Sequence, residues 1–383
     1  MIAKIRDVGR GGFGVASGPD GPVMIPHVLA GETVRFRIQR HSHNVYWGEA
    51  IEIIHPSAHR VSPPCPLYLE CGGCNLQHAS PEHQVEIKSG ILRRNLRRIA
   101  HIIDPPPIAI SASPPFHYRT RMVLKIQNGR AGFFQRNSHR VIPVNSCPLM
   151  PSVMQERLRE LCQYSQIRNI EDGQLVLLSN GEEVAASVAD GREWQDLDEP
   201  GRIVFHLPDG SFCVNPHNFV QANRFTMASM QAYAHPRSAR IHQGVDLYAG
   251  AGFLTLSLAR ACNRKVWAVE SDPGNLEMLR HNLAANGLDH VLPLQRKISG
   301  RHWPQADFIL ADPPRKGMPA RVLSALASAP PVEMVLFSCD SATFSRDLAF
   351  LLKRDFSLVE CALIDNFPQS DHIEVIARLQ GPV

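Results

Sequence analysis

Cysteine is the residue type whose spacing in this chain most clearly indicates chemistry. Three of the nine cysteines, Cys65, Cys71 and Cys74, form a C-x5-C-x2-C pattern, and Cys147 follows far downstream. Such uneven spacing indicates a metal site, not a disulfide framework. Four thiolates suit either zinc or a 4Fe–4S cluster, and the spacing alone does not separate these two groups.

A second candidate for chemistry is Cys339, which directly follows the apolar run EMVLFS (333–338). Glu374 lies in SDHIEVIARL (370–379), which also predicts a strand. A thiolate can add to an electrophilic carbon and a carboxylate can remove a proton, the two halves of an addition–elimination cycle. Taken singly, a strand-end cysteine is more often a small core residue, and a strand glutamate usually faces solvent.

The stretch GVDLYAGAGFLTLSLAR (244–260) reads as a buried strand, a glycine turn and a helix. Gly250 and Gly252 make a turn where the backbone can approach a ligand closely. Glu270 ends the apolar strand KVWAVE twenty residues after Gly250. An acid at that place can accept hydrogen bonds from the ribose hydroxyls of a nucleoside cofactor.

Dinucleotide binding is the competing interpretation of this turn. Against it, Thr255 stands where the third glycine of G-x-G-x-x-G would be. Asp246 lies four residues before Gly250, where it can reach the amino group of a bound amino-acid moiety. Together these features resemble the first two motifs of class I methyltransferases, which bind S-adenosylmethionine.

The stretch ADFILADPPRKG (306–317) predicts a strand that delivers Asp312 at its carboxyl end, where ligand-facing residues usually lie. Two prolines stiffen the backbone after it. Base-amino methyltransferases place an aromatic residue after such a D-P-P, and Arg315 occupies that place here. Amino-group methylation is therefore disfavoured.

Three regions must position these residues. Residues 1–58 read as short strands separated by glycines and predict a small β-barrel. Residues 59–205 contain the cysteine pattern, a predicted helix over 81–100 and a hairpin that turns at Asn128-Gly129. From 206 to 383, strand, glycine turn and helix alternate, which predicts an α/β doubly wound parallel sheet.

Several motifs resemble those of the uridine-C5 RNA methyltransferase family. SCDSATFSRD (338–347) is similar to its S-C-x-P-A-T-x-x-R-D signature, DHIE (371–374) to its H-x-E ending, and NFVQAN (218–223) to its cofactor- and base-contacting motif. With DLYAGAG and ADPPRKG they occur in the family's order, and the resemblance covers essentially the whole chain. The sequence departs at Ser341, where the family usually has proline, and at Tyr248, which replaces a usual phenylalanine.

The resemblance implies transfer of a methyl group from S-adenosylmethionine to C5 of a uridine in RNA. Cys339 would be the nucleophile that attacks C6, and Glu374 the general base that removes the C5 proton. Phe219 would stack on the target base. The residues implied for the cofactor are Gln221, Asp246, Tyr248, Gly250, Gly252, Glu270 and Asp312.

The cysteine pattern resembles the ribosomal-RNA branch of the family, which favours a 4Fe–4S cluster at the four cysteines and 23S ribosomal RNA as the substrate. The segment 1–58 likewise looks like the TRAM RNA-binding domain of that branch. The residues leave three alternatives open: a transfer-RNA uridine methyltransferase, a non-catalytic RNA-binding assembly factor with the same fold, and a zinc-dependent structural module.

The net charge of +4 is only mildly basic, but arginines gather in two places. Arg119 and Arg121 lie together near Lys125, and we expect them to contact RNA phosphates; a second group spans 93–98. No run of about 18 apolar residues occurs, and the first residues lack the apolar stretch of a secretory signal. The sequence therefore predicts a cytoplasmic monomer with RNA as its partner.

Overall fold

The computed structural model describes residues 1–18, 20–43, 45–191, 193–239, 241–262, 264–300 and 303–382. They group into two compact units that interleave along the chain. The first unit comprises Met1–Arg94, Phe133–Ile142 and Phe367–His372. The second comprises Asn95–Gly132, Pro143–Asn366 and Ile373–Val383. The predicted domain boundaries near residues 58 and 205 stay predictions.

A six-stranded sheet in the order β1-β5-β6-β4-β3-β2 dominates the first unit. Side chains alternate around residue 35 as in a half-buried strand, because Val34 and Phe36 are buried while Arg35 and Arg37 are exposed. The strands are β1 (Ile2–Lys4), β2 (Asp7–Val8), β3 (Phe13–Ser17), β4 (Pro22–Pro26), β5 (Thr33–Ser42) and β6 (Val45–His55).

The predicted helix over 81–100 is α1 (Pro81–Ile99). Ile87 and Ile91 are one turn apart on its buried face and pack with Val8, Leu29 and Leu76 in the first unit. The last residues of α1, after Arg94, group with the second unit.

Most remaining elements belong to the second unit, although the segment Phe133–Ile142 groups with the first. From α1 onward the chain forms β7 (Ile108–Ser111), β8 (Arg121–Gln127), β9 (Arg130–Phe134), β10 (Val141–Pro143), α2 (Ser152–Leu161), α3 (Ser165–Arg168), β11 (Asp172–Ser179), β12 (Val184–Ala189), β13 (Trp194–Asp196), β14 (Ile203–Leu207) and β15 (Gly210–Val214). It continues through α4 (Met227–Ala234), β16 (Gln243–Leu247), α5 (Phe253–Ala261), β17 (Lys265–Glu270), α6 (Pro273–Ala285), β18 (Val291–Gln295), β19 (Phe308–Ala311), α7 (Ala320–Ser328), β20 (Glu333–Ser338), α8 (Ser341–Leu352), β21 (Ser357–Ile364) and β22 (Glu374–Gln380).

The predicted hairpin at Asn128-Gly129 is present, because β8 and β9 pair antiparallel on either side of it. Asn128 and Gly129 have φ angles of 50° and 71°. Positive φ at both central residues is the geometry that a two-residue hairpin turn requires. This hairpin belongs to a six-stranded sheet in the order β10-β9-β8-β11-β12-β13.

An eight-stranded sheet in the order β18-β17-β16-β19-β20-β22-β21-β7 carries the candidate site. Strands β18, β17, β16, β19 and β20 are parallel, as the sequence predicts. The expectation of a wholly parallel sheet is wrong for β22, which runs antiparallel to both β20 and β21. Strand β22 follows β21 through a short connection that contains no helix, and parallel strands would need a longer crossover connection.

The chain leaves β16 toward β17 and β18, and then returns to β19 on the opposite side of β16. This reversal is a topological switch point, where doubly wound sheets bind their ligands at the carboxyl ends of the strands. One large core cluster in this unit includes Val266, Phe308, Val335 and Ile376 from the strands of this sheet. Among the described residues, no helix is long and apolar enough to cross a membrane.

Candidate active site

The predicted glycine turn lies between β16 and α5 in the second unit. Gly250 and Gly252 have φ angles of 57° and 96°, which a side chain would strain. A Cβ on Gly252 would lie 2.6 Å from Cδ1 of Leu279, whereas a Cβ on Gly250 would meet open space. Gly252 is therefore needed for packing, and Gly250 leaves room for a ligand beside the backbone.

Asp246, one residue before the end of β16, is almost wholly buried and accepts a hydrogen bond of 2.6 Å from Oγ1 of Thr255. Thr255, the residue that replaces the third glycine of a dinucleotide fingerprint, therefore binds this carboxyl group. Burial raises the pKa of Asp246 to about 8, the bond from Thr255 opposes that rise, and Asp312 and Glu270 add to it. A cation bound beside Asp246 would favour its charged form.

Glu270 ends β17 as predicted, and its carboxylate organises the loop that follows the strand. One oxygen accepts the Gly250 N–H at 2.9 Å, and the other accepts the N–H groups of Ser271 and Asp272 at 2.6 and 2.7 Å. Asp272 in turn caps α6 by accepting the Asn275 N–H at 2.8 Å. Glu270 is thus fixed beside the glycine turn.

Asp312 directly follows β19 and meets Gln221 from the predicted NFVQAN motif. Nε2 of Gln221 donates to Asp312 at 3.2 Å, and Oε1 of Gln221 accepts a long bond of 3.5 Å from Asn366. Burial raises the pKa of Asp312 to about 6 although the bond from Gln221 lowers it. Two residues that are distant in sequence and were both implied for the cofactor therefore meet.

Cys339 and Glu374 are brought together by the antiparallel pairing of β20 and β22. Ser338 pairs with Val375, so the next residue of each strand in that direction is Cys339 on one and Glu374 on the other. Burial raises the pKa of the Cys339 thiol to about 11, and the Glu374 and Asp312 carboxyls add to this rise. The sequence-predicted nucleophile and base thus lie beside each other.

The Glu374 carboxyl group is only 3% exposed. Burial is the main cause that raises its pKa well above the ordinary value, Asp312 adds to it, and the N–H of Ser338 opposes it. Oε1 of Glu374 is buried and accepts no hydrogen bond within the described part of the chain. A buried oxygen without a partner suits a group that receives a proton from a substrate.

Arg315 is a site residue whose role the sequence alone does not indicate. Its guanidinium donates a hydrogen bond to the Cys339 sulfur and, with its charge, lowers the pKa that burial raises. The loop that carries Arg315 is held by α8, because Thr343 Oγ1 donates to the Arg315 carbonyl at 3.1 Å and Arg346 donates to the Lys316 carbonyl at 2.9 Å. The loop that contains ADPPRKG is therefore hydrogen-bonded to the helix that contains SATFSRD.

The departure at Ser341 has a simple structural outcome. Ser341 is the first residue of α8, and the Asp340 side chain caps the helix by accepting the N–H groups of Ala342 and Thr343 at 3.0 and 2.9 Å. Proline is favoured at the first position of a helix, so either residue fits this loop. Ser341 Oγ instead accepts a bond of 2.7 Å from Asn95.

The remaining predicted residues differ in their exposure and contacts. Phe219 is 62% exposed, which leaves its ring free to stack on a base. Tyr248 has a φ of 68° and a buried hydroxyl that no described residue hydrogen-bonds. Arg121 donates from Nε to the Pro216 carbonyl at 2.8 Å, and Arg119 donates to the Arg121 carbonyl at 3.1 Å.

The cysteines are divided between the two units. Cys65, Cys71 and Cys74 lie in the first unit, and Cys147 in the second. The Gly73 N–H donates to the Cys71 sulfur at 3.4 Å, while Arg136 donates to the carbonyls of Cys71 and Cys74 at 3.3 and 2.7 Å. Burial raises the pKa of Cys71, and nearby Cys65 adds to this rise. Cys65 and Cys71 are therefore close to each other.

His59, His83 and Glu86 form a further group of possible metal ligands in the first unit. The two imidazole rings stack at 4.2 Å with planes only 6° apart, and His83 Nδ1 lies 2.7 Å from a Glu86 oxygen. Imidazole lone pairs lie in the ring plane, so two nearly parallel stacked rings do not point at one ion. This group is better described as a hydrogen-bonded stack.

Comparison with known proteins shows which proteins this chain resembles. The family model for the methyltransferase small domain matches residues 221–327, which include the glycine turn and Asp312. A protein of Gloeobacter violaceus named as an uncharacterized RNA methyltransferase is 29% identical, over 99% of this chain and 96% of its own. A 23S rRNA (uracil(1939)-C(5))-methyltransferase of Legionella pneumophila is 28% identical, over 99% and 97%.

Among solved structures, the tRNA (uracil-54, C5)-methyltransferase of Pyrococcus abyssi, in complex with S-adenosyl-L-homocysteine, aligns with a TM-score of 0.77. The alignment covers 99% of this chain and 100% of that one at 22% identity, which establishes a shared fold. The predicted resemblance to RNA methyltransferases is confirmed. The chain has the fold of a class I methyltransferase and is similar over nearly its whole length to RNA methyltransferases.

Proposed function

We propose that this protein transfers a methyl group from S-adenosylmethionine to C5 of a uridine in RNA, with 23S ribosomal RNA as the substrate. The observation that carries the proposal is the β20–β22 pairing, which sets a strand-end thiol beside a buried carboxyl group, one oxygen of which accepts no hydrogen bond from the described residues. The named activity of the Legionella relative supports ribosomal RNA as the substrate. The name of the Pyrococcus protein makes transfer RNA the second candidate.

The proposed reaction begins when the Cys339 thiol gives its proton to water and the thiolate adds to C6 of the uracil. Addition breaks the C5–C6 double bond and spreads negative charge over O4 and C5, so C5 becomes nucleophilic. C5 would take the methyl group that S-adenosylmethionine supplies, and S-adenosylhomocysteine would be the leaving group. Glu374 then removes the proton that remains on C5. The electrons of that C–H bond restore the C5–C6 double bond, and the Cys339 thiolate leaves.

The cofactor would lie at the switch point of the eight-stranded sheet. Asp246, Glu270 and Asp312 meet there, and Asp312 and Glu270 each raise the pKa of Asp246. A pocket lined by buried carboxyls fits a ligand with a positive amino group and ribose hydroxyls. Gln221 would fix Asp312, and Gly250 would leave room beside the turn.

Cys65, Cys71, Cys74 and Cys147 would hold a 4Fe–4S cluster. The bond from the Gly73 N–H to the Cys71 sulfur fits a thiolate ligand, because backbone donors stabilise sulfur charge in such sites. The closeness of Cys65 to Cys71 also fits a shared ligand set. When bound, the cluster would supply structural cross-links between these segments. Arg136 would order the loop itself.

The RNA would be bound by basic residues of both units. The six-stranded sheet of residues 2–55 would act as a TRAM-like RNA-binding domain, with Arg119 and Arg121 contacting phosphates near the site. The exposed ring of Phe219 would stack on the target base. Total nucleic acid from cells that lack this protein, incubated with it and labelled cofactor, would identify the substrate. Label in DNA alone, or in no nucleic acid, would contradict the proposal.

Two substitutions should separate the roles of the nucleophile and the base. Cys339→Ala should bind cofactor and RNA yet form no covalent adduct and transfer no methyl group. Glu374→Gln should still add the thiolate to C6, but release should stall because the C5 proton has no acceptor. We expect a protein–RNA species that survives denaturing electrophoresis and accumulates only in Glu374→Gln.

Cys162→Ala and Glu277→Gln serve as matched controls outside the site and should behave as wild type. RNA that contains 5-fluorouridine should trap the wild-type enzyme, because fluorine at C5 cannot leave as a proton. Methylation by Cys339→Ala at nearly the wild-type rate would falsify the covalent mechanism.

Arg315 should set the reactivity of Cys339. Because burial raises the pKa of this thiol to about 11, thiolate is scarce at neutral pH and should increase about tenfold per pH unit up to that value. Arg315→Ala removes a cause that lowers the pKa, so alkylation of Cys339 at a pH of about 8 should slow by roughly tenfold. Arg315→Lys should be affected less.

The measurement is the rate of iodoacetamide labelling of the Cys339 peptide, followed by mass spectrometry from a pH of about 7 to about 9.5. Arg321→Ala, on the exposed side of α7, is the control. An unchanged labelling rate in Arg315→Ala would show that the arginine does not act on the thiol.

The cluster makes a prediction that does not depend on RNA. Protein purified without oxygen should be brown and contain about four irons per chain. Cys71→Ser should lose colour and iron and unfold at a lower temperature, whereas Cys162→Ser should retain both. Stoichiometric zinc without acid-labile sulfide, in protein from iron-replete cells, would rule out the iron–sulfur assignment.

A further inference from the structure

The short segment Phe367–His372 is unusual in its place along the chain. It groups with the first unit, although Asn366 before it and Ile373 after it belong to the second. Glu374, the proposed base, follows two residues after its end. Residues of the first unit hold this segment. They therefore restrain the backbone that leads directly to the base.

Asn75 and Asp371 form the central contact of this segment. Asn75 Nδ2 donates to Oδ1 of Asp371 at 2.7 Å, and the Asp371 N–H donates to Oδ1 of Asn75 at 2.9 Å. Oδ2 of Asp371 also accepts the Gly11 N–H at 2.6 Å. Both side chains are thus fixed in orientation, because each has a distinct donor or acceptor on both sides.

Further hydrogen bonds hold the segment on either side of this pair. The Gln369 carbonyl accepts the N–H groups of Asn75 and Leu76, both at 3.0 Å. Gln84 of α1 exchanges two bonds with Gln369, at 3.0 Å between the side chains and 2.7 Å from the Gln369 N–H. Lys88 is wholly buried and donates to the Phe367 carbonyl at 2.9 Å.

Asn75 directly follows Cys74, and Asp371 lies three residues before Glu374. Three residues span at most about 10 Å even when fully extended. The Asp371 backbone therefore leads directly into the start of β22, where Glu374 lies, and a shift at Asp371 would act on that strand end. Since misplacement of a catalytic group by about 1 Å can cost on the order of 100-fold in rate, the position of Asp371 matters for proton removal.

We propose that Asn75 and Asp371 are a positioning pair that ties the backbone before Glu374 to the cysteine loop and thereby holds the base in place for proton removal from C5. The inference rests on the proposed role of Glu374, and neither residue touches the substrate. A pair that only stabilised the fold would affect all steps equally. A positioning pair should slow the release step while methyl transfer and cofactor binding persist.

A reciprocal exchange tests the pair. Asn75→Asp sets two carboxylates against each other, and Asp371→Asn leaves two amides face to face. The double variant, Asn75→Asp with Asp371→Asn, can form all three hydrogen bonds again. The new carboxylate at position 75 accepts from the side-chain amide and the backbone N–H of residue 371. The amide oxygen at position 371 accepts the Gly11 N–H. Asn75→Ala removes the pair without repulsion and serves if Asn75→Asp fails to fold.

Two readouts are needed on the intact protein. The first is hydrogen exchange of peptides that span residues 367–376, which does not require activity. The second is the ratio of covalent protein–RNA adduct to methylated product in single turnovers. We expect Asn75→Asp to speed exchange there and to lengthen the lifetime of the adduct by roughly 10- to 100-fold with KM little changed. The double variant should recover both, and Glu82→Gln on α1 should match wild type.

Failure of the double variant to recover, or wild-type exchange and adduct lifetime in Asn75→Asp and Asn75→Ala, would overturn the positioning pair. A wild-type protein that forms no adduct and no methyluridine would instead refute the proposed function. In that case the exchange measurement still decides whether the pair fixes this segment, so the two failures are distinguishable.

Discussion

The antiparallel direction of β22 is the constraint on which the candidate site depends. In a parallel sheet, the carboxyl ends of strands meet at one edge, and the start of a strand lies at the other. Because β22 runs against β20, its first residue, Glu374, lies at the edge where β20 delivers Cys339. Thiol and carboxyl group are therefore adjacent through backbone hydrogen bonds of the sheet, which are more rigid than contacts between loops.

Burial then affects the charge state of three acids at this edge. Asp246, Asp312 and Glu374 lie in a region of low polarity where charged forms are unfavourable, and the pKa of each is raised. A carboxyl group with a raised pKa is a stronger proton acceptor once it is ionised, which suits the task of Glu374. The same burial disfavours ionisation of the Cys339 thiol. The environment that suits the base therefore opposes formation of the nucleophilic thiolate.

The sequence predicted the elements that local patterns encode. The glycine turn, the strand ends at Glu270 and Asp312 and the hairpin at Asn128 are as expected, because turn chemistry and apolar periodicity specify them. The direction of β22, the contact of Arg315 with Cys339 and the two-unit arrangement were not predictable, since each depends on pairings between distant residues. The four cysteines and the TRAM-like domain stay predictions.

The helix that follows Cys339 explains why the effect of Arg315 on the thiol matters. A helix N-terminus offers free N–H groups and a positive dipole end, and it commonly lowers the pKa of a nearby cysteine. Here the Asp340 side chain takes the N–H groups of Ala342 and Thr343, and it adds a carboxylate close to the sulfur in sequence. The helix end is thus largely neutralised, and burial prevails. Arg315, held in place by α8 itself, is then the group that favours the thiolate, and it does so only while the ADPPRKG loop stays docked on that helix.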